Sequence, residues 1–88
     1  MDKIDMLCEY AYGVKFNDHR FILKVLQNLD NSEYIDDIIR YVKGYLADMA
    51  EEINEERSEK IDFAEAIKEI VTDLEENLKI IKMERRFR

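Results

Sequence analysis

The chain has 88 residues, a net charge of −7, 40% charged and 47% hydrophobic side chains, no proline and two glycines. That length holds one domain with a single modest core, and that balance excludes a disordered tail or a flexible linker. The lone cysteine excludes an intramolecular disulfide, no stretch nears the roughly 18 consecutive apolar residues of a membrane span, and the acidic excess argues against direct binding to nucleic acid or to an anionic membrane.

The opening segment, MDKIDMLCEYAYG, has acidic residues where a secretory signal needs a basic region and an apolar run. The expectation is a soluble cytoplasmic protein. The pattern predicts a first helix over 3–12. Asp2 caps it, and Ile4, Leu7, Cys8 and Ala11 form one face at i, i+3, i+4, i+7. Gly13 ends it, because glycine tolerates the positive φ of a helix C-terminus. Asn17 or Asp18 starts a second helix over 18–29, with Phe21, Ile22, Val25, Leu26 and Leu29 facing inward. Asp30 to Ser32 is turn chemistry, and Ser32 is a good N-cap.

The third predicted helix, 33–57, carries Ile35, Ile38, Ile39, Val42, Tyr45, Leu46, Met49 and Ile53. Gly44 inside it costs about 1 kcal/mol against alanine, a cost that close packing by a neighbouring helix would justify. The fourth, 62–84, opens on Asp62-Phe63-Ala64-Glu65, the spacing of a capping box. It continues with Ile67, Ile70, Val71, Leu74, Leu78 and Ile81, and 85–88 form a basic end.

Two architectures compete for the long helices. Counted in sevens, one seam reads Ile39, Leu46, Ile53, Lys60, Ile67, Leu74 and Ile81. The other reads Ile35, Val42, Met49, Glu56, Phe63, Ile70, Asn77 and Glu84. The frame stays in phase across the polar segment NEERSEK, so one continuous helix about 75 Å long is sterically allowed if a second chain covers its stripe. Against it, NEERSEK has no apolar member. The extra apolar column also changes flank, from Ile38 and Tyr45 to Ala64, Val71 and Leu78. The favoured fold is therefore all-α: two short helices, then two long ones as an antiparallel hairpin, in a small bundle whose dimerisation is left open.

Little in the chain suggests chemistry. Cys8 and His19 supply two metal ligands where zinc needs three or four. Cys8 on an apolar stripe reads as a small buried hydrophobe and His19 as exposed, so neither a Cys–His nucleophile nor a cofactor site is expected. Charge is uneven. Residues 1–50 carry 6 basic and 9 acidic side chains, 51–82 carry 5 and 11, and 83–88 carry 3 and 1. The densest acidic cluster is Glu51, Glu52, Glu55, Glu56 and Glu59. Glu52-x-x-Glu55 resembles the Mg²⁺-holding pair of helical nucleotide pyrophosphatases, although no phosphate-handling residues accompany it. Tyr34, Tyr41 and Tyr45 share one side of the third helix and suit an interface or the rim of a core.

The leading expectation is a non-enzymatic, acidic protein-binding module without a cofactor. It would regulate or inhibit a protein partner that presents a basic surface, including one that otherwise holds nucleic acid. In size, charge and class it is similar to small acidic inhibitors of viral and mobile-element origin. The alternatives are a carboxylate-metal nucleotide hydrolase and a purely structural homodimerisation element.

Overall fold

A computed structural model describes residues 2–27 and 34–86. Its helices are α1 (Lys3–Tyr12), α2 (Phe21–Gln27), α3 (Ile35–Glu55) and α4 (Ala64–Arg86). The fold is an all-α bundle in which α3 and α4 form an antiparallel hairpin. α1 lies across both long helices, and α2 packs against α1.

Each boundary has a local cause. Asp2 Oδ1 accepts a hydrogen bond from the Ile4 backbone N–H at 2.9 Å and starts α1. Gly13 stops it in the left-handed region at φ 76°, donating its N–H to Glu9 O at 2.9 Å. The next segment does not enter a helix at residue 18. The Asp18 carboxylate takes the Arg20 backbone N–H at 2.8 Å and grips the Arg20 guanidinium at 3.1 and 2.8 Å. Asp18 N–H donates to Lys15 O and Phe21 N–H to Asp18 O, so consecutive turns fill the space before Phe21. The expected end of this helix at Leu29, the turn at Asp30 to Ser32, the Ser32 cap and the start of the third helix at Glu33 lie outside the described residues.

The hairpin turn takes the last two residues of the expected third helix and the first two of the fourth. Asn54 Nδ2 donates to Ile61 O at 2.9 Å, and Asn54 Oδ1 accepts from Ile61 N–H at 2.8 Å. One side chain thus satisfies both backbone groups of a residue across the turn. Lys60 Nζ donates to the carbonyls of Asn54 and Arg57, satisfying two of the acceptors left open where α3 ends. Asp62 Oδ1 accepts from Ala64 N–H at 2.9 Å, so α4 begins at Ala64 rather than at Asp62.

The core runs the length of the hairpin. Leu7, Cys8, Val25, Val42, Leu46 and Ile70 have no solvent exposure, and Ile38, Phe63, Leu74 and Leu78 are nearly as deep. Three alanines, Ala11, Ala50 and Ala66, join them. Of the inward face expected for α2, Phe21 and Val25 are buried, Ile22 is half-buried and Leu26 is exposed. The direction of α1 follows from its ends. Lys3 Nζ reaches Asp62 O at 3.2 Å beside the turn, while Ala11 O accepts from Tyr45 Oη at 2.9 Å midway along α3. Asp5 Oδ1, accepting from Phe16 N–H at 3.2 Å, ties down the segment between α1 and α2. No helix of the described residues is long and apolar enough to cross a membrane.

Candidate interaction surface

Cys8 and His19 lie in opposite environments. Cys8 is fully buried, and burial, with Asp5 next in effect, pushes its thiol pKa up to about 12. His19 is 91% exposed and lies 3.7 Å from Asp18. The thiol and the imidazole do not meet.

The acidic cluster is assembled by the end of α3 and the turn after it. Glu51, Glu52 and Glu55 occupy the last two turns of α3, Glu56 follows as its C-cap, and Glu59 sits in the turn; all five are exposed. Among the described residues none of the five has a cation within ion-pair distance, whereas Glu75 on α4 holds Lys79 at 3.3 Å. The last turn of α3 contains no basic residue. Carboxylates there face one another at i, i+4 and also face the negative end of the helix dipole, and both effects are unfavourable.

Tyr10 belongs to this surface, although the sequence pattern alone did not single it out. It projects from the outer side of α1, off the buried Leu7–Cys8–Ala11 stripe, and is about half exposed. Partial desolvation, then Glu52, Glu56 and Glu55, raise its phenol pKa. Met6, Tyr10, Glu52, Ile53, Glu56 and Arg57 line a shallow groove between α1 and the end of α3. The stripe itself was the available signal, since a tyrosine outside it has to face outward.

The other tyrosines divide. Tyr45 is half-buried, bonded to Ala11 O and in ring contact with Tyr12 at 5.3 Å, so it stands at the rim of the core. Tyr41 stacks on Tyr45 at 6.5 Å with half its surface exposed, and Tyr34 is 70% exposed at the start of α3. From Tyr41 to Glu52 is about 16 Å along the helix, so the tyrosine side and the carboxylate ridge are separate surfaces. On α4, Glu65, Lys68, Glu69, Thr72, Asp73 and Glu76 line a second shallow, mostly acidic depression. Among the described residues no three His, Cys, Asp or Glu side chains converge as a metal site requires. Comparison with known protein families, curated proteins and solved structures finds no match, and the surface chemistry is what bears on function.

Proposed function

We propose that the chain is a small non-enzymatic binding module that docks its carboxylate ridge, Glu51, Glu52, Glu55, Glu56 and Glu59, on a basic surface of a protein partner and so regulates or inhibits it. The observation that carries this reading is the density of unpaired charge: five exposed carboxylates with no cation within ion-pair distance among the described residues, gathered at the C-terminal end of a helix. Selection for stability alone would alternate signs, as Glu75 and Lys79 do. A basic partner would relieve the repulsion, and Tyr10 supplies an aromatic contact beside it.

The test starts with affinity isolation of partners from the native host, followed by binding of a purified partner across a salt series. The triple variant Glu52→Gln, Glu55→Gln, Glu59→Gln is expected to keep or slightly gain thermal stability. It should lose affinity and show a flatter salt dependence, because exposed charges are screened over a Debye length of about 8 Å at physiological ionic strength. Unchanged affinity and slope would reduce the ridge to a solvated face. A thermal-shift series with Mg²⁺, Mn²⁺ and Zn²⁺ separates this reading from the carboxylate-metal alternative. The module should not respond, whereas a native-state metal site raises the melting temperature.

A further inference from the structure

We propose that the α3–α4 turn is a hinge through which two copies of this chain exchange α4, forming an antiparallel dimer of continuous helices that run from Ile35 to Arg86. Four observations carry this, and none depends on the function proposed for the carboxylate ridge.

The buried columns of the two helices stand four heptads apart. Ile38, Val42, Leu46 and Ala50 are buried on α3, and Ala66, Ile70, Leu74 and Leu78 are buried on α4, each four sevens after its counterpart. With the turn straightened, the two columns keep one heptad frame, interrupted at its centre by Glu56 and Lys60. The change of flank seen in the sequence falls beside this frame, with Ile38 flanking it on α3 and Leu78 on α4, and both are buried. The hairpin already demonstrates that α3 fits α4 antiparallel. An α4 from a second copy would make the same contacts in the same place, and each α1 would stay on its own α3.

The turn is permissive. Residues 56–63 contain neither glycine nor proline, and no described non-glycine residue has positive φ. Every turn residue can therefore adopt helical angles without steric penalty. The hydrogen bonds that close the turn come chiefly from two side chains, Asn54 on Ile61 and Lys60 on the end of α3.

The polar residues that interrupt the seam are complementary to a second copy. Glu56 and Lys60 are the two charged residues in the seam's central gap, and they have opposite sign. The register that sets Asn54 across from Ile61 brings Glu56 of one straightened chain to within about a residue of facing Lys60 of the other. Within each chain, Glu56 four residues before Lys60 is the favourable order for a helix. Exchange of an identical element is a low-cost route to a dimer, because the interface already exists.

The experiment uses the full chain with nitroxide labels at Asp48→Cys and Thr72→Cys, both exposed positions, diluted into excess unlabelled protein. The chain is unfolded in denaturant and refolded at micromolar and at millimolar concentration. Monomer and dimer are then separated by size. Within the monomer the labels should lie closer than about 25 Å, since packed helices are about 10 Å apart. Within the dimer the same two labels on one chain should lie about 36 Å apart. Asn54→Ala removes the clasp and should shift the equilibrium toward dimer by about tenfold, the effect of a hydrogen bond or two. Two glycines inserted between Ser58 and Glu59 should keep the protein monomeric at both concentrations. If wild-type protein refolded at millimolar concentration stays monomeric, or forms a dimer that keeps the short distance within a chain, the exchange is refuted, whatever the variants do.

Discussion

Cys8 shows how a single residue's chemistry follows from its face. Its place between Leu7 and Ala11 in sequence already implied burial, and the structure removes it from solvent. Native protein should react with a thiol reagent orders of magnitude more slowly than denatured protein; equal rates would contradict burial. Because the folded pKa lies near 12 against an ordinary value near 9, folding favours the neutral thiol. This contribution to stability is complete below about pH 9 and is lost as pH rises toward 12. The alkaline decline in melting temperature should accordingly be smaller in Cys8→Ala than in wild type. The two glycines make opposite cases. Gly13 needs its left-handed φ, so Gly13→Ala should cost about 1–2 kcal/mol in denaturant unfolding. Gly44 has open space where a Cβ would go, and no helix packs close to it, contrary to the reason its sequence position suggested. Gly44→Ala should stabilise the protein by about 1 kcal/mol.

At the scale of elements, what decides legibility is whether the signal is periodic or contingent. The stripes of α1, α3 and α4 recur often enough to locate each helix and its inner face. Ala50 and Ala66 escaped because small side chains carry little hydrophobic weight, although they let the helices approach. The start of α2 was misplaced because Asp18 is a competent cap in sequence, yet here it chelates Arg20 and holds a turn instead. That pairing keeps the Asp18 carboxyl well below the usual carboxylate range. The sequence favours the hairpin through the apolar gap and the change of flank, and its positive cause, the Asn54 clasp, is invisible there: nothing in NEERSEK reveals that its first residue will bond the backbone of the isoleucine that follows it. Asn54→Asp retains the acceptor for Ile61 N–H and sets a second oxygen against Ile61 O. It should destabilise the monomer by about 1–3 kcal/mol in chemical denaturation, the cost of an unsatisfied and repelled carbonyl.

For the whole molecule, shape and charge combine. The bundle measures 51 × 21 × 20 Å with a radius of gyration of 13.7 Å, above the roughly 12 Å of a spherical domain of this length. The carboxylate ridge lies at the turn end of this rod, and α4 reaches Arg86 at the other. Composition revealed the acidic segment 51–82, and the fold adds that, among the described residues, none of the five ridge carboxylates has a cation within ion-pair distance. Raising sodium chloride from millimolar to a few hundred millimolar should therefore raise the melting temperature, and the gain should shrink in the Glu52, Glu55, Glu59 triple variant. Tyr10 had to wait for the structure, because its partners come from α3 and turn residues more than forty positions away.

The aromatic contacts have an optical consequence. The protein has no tryptophan, so its near-ultraviolet circular dichroism comes chiefly from tyrosines held in fixed asymmetric surroundings. Those are Tyr12, Tyr45 and Tyr41, in a chain of rings with Phe21 edge-on to Tyr12 at 5.6 Å. Every ring of that chain sits on α1, α2 or α3, and none on α4. The near-ultraviolet spectrum therefore reports how α1 docks on α3 and is blind to which copy supplies α4. A hairpin monomer and an α4-exchanged dimer would look alike in the spectrometer, and a constant spectrum across a dilution series is no evidence of a constant assembly.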